Sequence, residues 1–91
     1  MKTYELNVSG RVQGVNYRKF VFDVAQVLNY VGYVKNLPDL SVQVVLNAEF
    51  EEDLEFFISK LHEGPLFAHV ENITCQCIEL HHFEDFEIIR G

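Results

Sequence analysis

The chain has 91 residues, which suffices for one domain over residues 1–91 and leaves no room for a second. Hydrophobic residues make up 48% of it and charged residues 23%, which excludes a disordered or fibrous protein. Seven basic and 14 acidic residues give a net charge of −7, which argues against nucleic acid and anionic membranes as partners. No apolar run is long enough to span a membrane and no secretory signal opens the sequence, so we expect a soluble cytoplasmic protein.

The charge is unevenly distributed along the chain. Residues 1–38 contain five basic and two acidic residues, whereas residues 39–91 contain two basic and twelve acidic ones. A locally basic segment in an acidic protein suits a small anionic ligand better than a polyanion. Chance combined with a solvated acidic helix would produce the same asymmetry, so this pattern alone leaves both interpretations open.

The first half of the chain predicts a strand, a loop and a helix. Residues 4–8 alternate apolar and polar side chains, which is typical of a strand with one buried face. Gly10 and Gly14 bracket a short loop, and apolar residues then recur at helical spacing from Tyr17 to Tyr30. The apolar stripe consists of Val21, Val24, Ala25 and Leu28. Asn29 follows where the helix should end, because Asn tolerates the left-handed conformation found there.

The remainder predicts a hairpin, a second helix and two strands. The expected elements are strand 33–36, turn 37–40, strand 42–46, helix 50–63, strand 70–78 and strand 86–89. The order β-α-β-β-α-β with an additional C-terminal strand predicts an α+β, ferredoxin-like sandwich. We expect two helices on one face of a mostly antiparallel sheet, with the other face solvated.

Two cysteines and two histidines raise the question of a metal site. Cys75 and Cys77 stand two apart in a predicted strand, and we expect both to face inward as reduced, buried core thiols. His81 and His82 are adjacent, so in an extended chain they would face opposite ways. The first β–α loop, where ferredoxin-like metal carriers place cysteines, has none. We therefore expect no bound metal.

The loop between the first strand and the first helix has the chemistry of an anion site. Unpaired amides and the positive end of the helix dipole point the same way at a helix N-terminus. Gly10 and Gly14 allow successive N–H groups to converge as a nest, and Arg18 could close over the anion with a two-pronged guanidinium. By spacing alone, a tight turn with a solvated arginine explains the same residues.

The residues GRVQGVNYR and, further on, GYVKN resemble the two signatures of the acylphosphatase family. That family typically shows G-[KR]-V-Q-G-V-x-[FY]-R and G-[WFY]-[VA]-[KR]-N, and here Arg18 and Asn36 are 18 positions apart, as in the family. The similarity continues through residues 60–65 and 86–88, so it covers nearly the whole chain as one acylphosphatase-like domain. Leu40 is a departure, since it stands where the hairpin usually has glycine.

The resemblance implies metal-independent hydrolysis of the carboxyl–phosphate bond of acyl phosphates, with no cofactor. Arg18 matches the family's phosphate-binding arginine and Asn36 its water-orienting asparagine. The implied phosphate cradle is the backbone of Gln13, Gly14, Val15, Asn16, Tyr17 and Arg18. The expected partners are a small acyl phosphate as substrate and inorganic phosphate as product or inhibitor, and the default oligomeric state is a monomer.

Two other function classes share this element order. A module that binds phosphate without catalysis would also need the loop and Arg18, and only turnover distinguishes it from the enzyme. An RNA-recognition domain would need outward aromatics and a basic sheet face. The third strand instead offers Gln43 and Val45 outward, in the acidic part of the chain.

Overall fold

The computed structural model describes residues 1–90 and contains seven regular elements in the predicted order. They are β1 (Lys2–Arg11), α1 (Tyr17–Val27), β2 (Val31–Asn36), β3 (Val42–Ala48), α2 (Glu51–Glu63), β4 (His69–Ile78) and β5 (Phe86–Ile89). The strands form one sheet in the order β4-β1-β3-β2-β5. All pairs are antiparallel except β2 with β5. The predicted ferredoxin-like α+β fold, including the extra C-terminal strand, is confirmed.

The core lies between one face of the sheet and the two helices. Inward residues of β1, β2 and β3 meet those of α1 and α2 because strand alternation and helical spacing each place apolar side chains on one side. The fully buried members include Leu6, Val8, Val21, Ala25, Val34, Val44, Phe57 and Leu61. The Tyr17 hydroxyl donates a hydrogen bond of 2.8 Å to the Leu61 carbonyl, which joins the start of α1 to the end of α2. Burial raises the pKa of Tyr17, so this phenol stays a donor.

Helix α1 ends at Val27, one residue before Leu28, where the sequence predicts its end, and Asn29 has the expected role there. Asn29 has a φ of 57°, in the left-handed region. Its amide bonds back to the Gln26 carbonyl and the Tyr30 amide to the Ala25 carbonyl, at 3.1 and 2.9 Å. These two bonds form the Schellman arrangement that satisfies the last helical carbonyls.

The prediction that Cys75 and Cys77 are buried is wrong. Register places Cys75 opposite Leu6 and Cys77 opposite Tyr4, so both are on the helix side of the sheet as expected. Both are nevertheless exposed, because β4 is an edge strand and the helices do not cover this part of it. The surrounding sheet still shields the Cys75 thiol from part of the solvent, and this desolvation raises its pKa, with neighbouring Cys77 adding to the effect.

The far face of the sheet, opposite the helices, is only partly solvated, unlike the expectation. Residues 79–85 run between the two edge strands, from the end of β4 to the start of β5, and bury Thr3 and Asn47 on this face. The Thr3 hydroxyl donates to Asn47 Oδ1, while the His81 amide donates to Thr3 Oγ1 at 2.9 Å. Asn47 Nδ2 donates to the His81 carbonyl at 2.9 Å, so the buried polar groups are paired.

Gly32 in β2 has no room for a side chain. Its φ is +152°, and a Cβ would lie 1.9 Å from the Val45 carbonyl oxygen and 2.8 Å from the Leu46 Cα, both backbone atoms.

We expect Gly32→Ala to lower the free energy of unfolding by about 3 kcal/mol or more, measured by urea denaturation. Gly64→Ala is the matched control: its Cβ would meet only side-chain atoms, the nearest 3.3 Å away, and we expect a loss of about 1 kcal/mol. Equal losses in the two variants would contradict the steric argument.

Candidate active site

The predicted site residues meet at one end of the sheet, where β1, β2 and β5 finish and α1 begins. We call this the cavity end. A cavity of about 80 Å³ opens there, and its walls include five of the seven predicted residues: Gly14, Asn16, Tyr17, Arg18 and Asn36. Gln13 and Val15 belong to the same loop but do not line the cavity. A cavity of this size has room for one small group.

The loop from Gln13 to Asn16 presents its amides without acceptors. Gly14 and Asn16 have φ values of 74° and 67°, in the left-handed region, which turns the backbone tightly into the helix. Asn16 is the N-cap residue but makes no side-chain cap. Among residues 1–90, the amides of residues 13–16 make no backbone hydrogen bond, and the first-turn amides of α1 are unpaired by helix geometry. The arrangement is a nest of donors at a helix N-terminus, suited to an anion.

The Arg18 guanidinium is positioned from the neighbouring strand. Arg18 lies in the first turn of α1 and is partly buried. Its Nη1 donates a hydrogen bond of 3.1 Å to the carbonyl of Ile89, the last residue of β5. Because a backbone carbonyl takes only one of the five donors, the remaining donors can face an anion in the cavity.

Asn36 places an unpartnered acceptor beside Arg18. It is the last residue of β2, where its backbone pairs with Val42 of β3. Its Oδ1 is buried and has no hydrogen-bond partner among the described residues. A buried amide oxygen without a donor is unfavourable by about 1–3 kcal/mol, so a donor that enters the cavity would stabilise this one.

The Gln13 side chain has a role that sequence analysis did not foresee. Its Nε2 donates to the carbonyls of Leu37 and Ser41, both at 2.9 Å. These carbonyls belong to the hairpin between β2 and β3, so one amide group joins the loop before α1 to the turn after Asn36. No local pattern could indicate it, because the partners are 24 and 28 residues away.

The hairpin itself combines a stabilising contact with backbone strain. One carboxylate oxygen of Asp39 accepts hydrogen bonds from the Ser41 hydroxyl and the Ser41 amide, and these bonds lower the pKa of Asp39. Leu40 has a φ of 75° and is largely exposed. A leucine in this region is strained because its Cβ crowds the backbone, which explains why glycine suits the position.

Four further residues line the cavity: Val12, Lys19, Ile88 and Arg90. Lys19 pairs with Asp23 at 2.6 Å on the exposed side of α1. Arg90 follows β5 and is the second arginine that lines the cavity. The parallel pairing of β5 with β2 carries Arg90 there, and no motif in the sequence marks it.

Charge is unevenly distributed along the strand direction, although Asp39, Glu63 and Glu71 also lie towards the cavity end. Six of the seven basic residues lie towards the cavity end: Arg11, Arg18, Lys19, Lys35, Lys60 and Arg90. The opposite end carries the acidic first turn of α2, formed by Glu51, Glu52 and Asp53, and the acidic residues of the 79–85 segment. The cavity is therefore locally basic although the protein is acidic overall.

The described residues contain neither a cluster of metal-ligating side chains nor a helix that could span a membrane. Within residues 1–90, no three or more His, Cys, Asp and Glu side chains are grouped so as to hold a metal ion. His62 and His69 are exposed. Neither helix in this part of the chain has the length and apolar character needed to cross a membrane.

Removing the Gln13 bridge should loosen the anion loop. We expect Gln13→Met to lower the free energy of unfolding by about 1–2 kcal/mol and to weaken orthophosphate binding several-fold, because loop and hairpin are no longer joined. Calorimetry and urea denaturation measure the two effects. Gln43→Met is the control, because Gln43 donates to Glu5 on the far face of the sheet and does not line the cavity. Losing this hydrogen bond should lower the free energy of unfolding and leave orthophosphate affinity unchanged. Unchanged phosphate affinity in Gln13→Met would show that the bridge is merely structural.

Glycine at position 40 should relieve the strained turn. We expect Leu40→Gly to raise the free energy of unfolding by about 0.5–1 kcal/mol, since strain relief exceeds the entropy gained by the unfolded chain. The comparison is Leu66→Gly, where an even more exposed leucine has an ordinary φ and the same change should be neutral or destabilising. Equal effects at both positions, measured by thermal denaturation, would rule out strain at Leu40.

Comparison with known proteins shows which family the chain is similar to. A family model described as acylphosphatase matches residues 4–88. An acylphosphatase of Archaeoglobus fulgidus is 41% identical over 88 residues, covering 97% of this chain and 98% of that protein. The crystal structure of acylphosphatase from Bacillus subtilis has a TM-score of 0.92 at 32% identity, covering 99% of this chain and all of that one.

The same fold also occurs inside a longer protein. The crystal structure of T. kodakarensis HypF matches with a TM-score of 0.84 and 39% identity, over 100% of this chain but only 12% of that one. The family model nevertheless covers almost the entire sequence, and the curated relative is of nearly the same extent. The chain belongs to the acylphosphatase family of hydrolases.

Proposed function

We propose that the protein hydrolyses the carboxyl–phosphate bond of acyl phosphates without a metal ion. The backbone amides from Gln13 to Arg18 and the Arg18 guanidinium hold the phosphoryl group, and Asn36 orients the attacking water. The observation that carries the proposal is the buried, unpartnered Oδ1 of Asn36 in the same cavity as Arg18. A water molecule is the natural donor to that oxygen.

The reaction needs positioning more than acid–base groups. Attack of the water oxygen on phosphorus forms one P–O bond while the bond to the acyl oxygen breaks, and the carboxylate leaves with the bonding electrons. Of the two water protons, one stays on the new phosphate hydroxyl and the other passes to a phosphate oxygen. The carboxylate is a good leaving group, so no strong general acid is required. Asn36 accepts from water without removing a proton, which suits a step in which phosphate is the base.

The loop and Arg18 supply the electrostatic part of catalysis. Charge in the transition state of phosphoryl transfer is spread over the equatorial oxygens. Converging amides, a helix N-terminus and a guanidinium face those oxygens together, and none has to be reorganised during the reaction. Arg18 is already held by the Ile89 carbonyl, which supports its assignment as a preorganised group.

The cellular setting belongs to the same proposal. We propose that residues 1–91 act as a single domain, monomeric in the cytoplasm, on a small acyl phosphate, with inorganic phosphate as product and inhibitor. The exposed thiols of Cys75 and Cys77 are unpaired, which suits a reducing compartment. Light scattering of the purified protein tests the monomer directly.

Turnover of benzoyl phosphate in the presence of a chelator tests the roles of Arg18 and Asn36. Asn36→Ala should lower kcat by roughly 10²–10³ while changing orthophosphate affinity little, because it removes the group that positions water. Arg18→Gln should lower both kcat and orthophosphate affinity, because it removes a group that binds the phosphoryl oxygens throughout. The chelator should leave wild-type activity unchanged.

Arg11→Gln provides the matched control. Arg11 is an exposed arginine at the end of β1 and does not line the cavity, so the variant changes charge at the same end without touching the site. If Arg11→Gln lowers activity as much as Arg18→Gln, a specific role for Arg18 is wrong. If folded wild type binds orthophosphate but hydrolyses no acyl phosphate, the protein is the phosphate-binding module considered above.

A further inference from the structure

A second depression adjoins the cavity at the end of β2 and β5. This groove has a volume of about 520 Å³ and is lined by Arg18, Lys35, Asn36, Leu37, Pro38 and Ile89. It shares Arg18 and Asn36 with the smaller cavity, so the two spaces are adjacent at these residues. A group attached to a phosphate in the cavity would therefore have the groove beside it.

The groove has a preorganised apolar wall. Leu37 and Pro38 form one part of it, and Ile89 faces them from β5. The carbonyl of Leu37 accepts from Gln13 Nε2, and the Leu37 amide donates to the Ser41 carbonyl at 2.9 Å. The Ile89 carbonyl accepts from Arg18. Each wall of the groove is thus hydrogen-bonded to a residue of the proposed phosphate site.

Lys35 provides the groove with a cation. Register places it beside Ile89 and one residue before Asn36. Among residues 1–90 it makes no ion pair, although Glu87 of the neighbouring β5 is paired with Tyr33, two residues before Lys35. Asp39, the acidic residue of the adjacent hairpin, is hydrogen-bonded to Ser41. A lysine without a partner beside an apolar wall fits a short aliphatic chain that ends in an anion.

We propose that this groove holds the acyl group and that Lys35 selects acyl phosphates carrying a second, distal carboxylate. The inference rests on the proposed function for the position of the phosphate, and it adds the class of acyl group. The aliphatic part of the chain packs on Leu37, Pro38 and Ile89, and the terminal carboxylate pairs with the Lys35 ammonium. Acyl groups of the same length without the charge lack that pair.

Succinyl phosphate and its monomethyl ester provide the test, since they differ in the distal charge at nearly constant chain length. In wild type we expect kcat/KM to be about tenfold higher for the free carboxylate than for the ester. In Lys35→Gln that ratio should fall to about one, and in Lys35→Arg it should be retained. Arg11→Gln removes the same charge at the same end outside the groove and should keep the wild-type ratio.

The phosphonate analogues of both compounds, with a methylene in place of the bridging oxygen, separate the two proposals. Their binding, measured by calorimetry, does not require turnover. If benzoyl phosphate is hydrolysed but the wild-type ratio is one, the hydrolase function stands and the role of Lys35 is wrong. If nothing is hydrolysed but Lys35→Gln abolishes a tenfold preference for the charged phosphonate, the hydrolase function fails and the groove's selectivity stands. Equal binding of both phosphonates overturns the selectivity in either case.

Discussion

The direction of the chain through the sheet brings the candidate site together. β1 and β2 run the same way with β3 between them, so α1 must return the chain along the sheet before β2 can begin. As a result, both strands finish at one end, and the loop that opens α1 lies beside the end of β2. The parallel β5 brings a third strand end to the same place. Arg18, Asn36 and the Ile89 carbonyl become neighbours through this one topological constraint, although each comes from a different element.

Periodicity predicts which side of a strand is apolar, and on that basis the element order and the fold were foreseen. It does not indicate whether another layer covers that side. Cys75 and Cys77 show the difference, since they face the helix side as expected but lie on an edge strand beyond the helices. The 79–85 segment has no periodicity, so the sequence did not indicate that it packs over Thr3 and Asn47. The end of α1 at Asn29, in contrast, could be predicted, because helix termination depends on the backbone preference of a single residue.

The same distinction applies to the site. The loop and the spacing of the two motifs indicated Gly14, Asn16, Tyr17, Arg18 and Asn36, all of which line one cavity. The contacts that hold these residues were not predictable, because the Gln13 amide and the Ile89 carbonyl act across 24 to 71 positions of sequence. Both contacts use backbone carbonyls as acceptors, so their geometry follows from the fold rather than from the identity of a partner side chain. The strained Leu40 lies within the turn that the Gln13 bridge holds at both ends.

The separation of charge along the strands changes what the net charge means for an approaching substrate. β1 alone spans about 30 Å from the acidic end to the cavity end. The Debye length at physiological ionic strength is about 8 Å, so an anion near Arg18 is shielded from most of the distant carboxylates and experiences the nearby cations. In very dilute buffer the screening length approaches about 30 Å, and the whole acidic protein then repels the same anion. We therefore expect moderate salt to raise the rate at which an anionic substrate reaches the cavity. For a protein and a substrate of opposite net charge, salt would lower that rate.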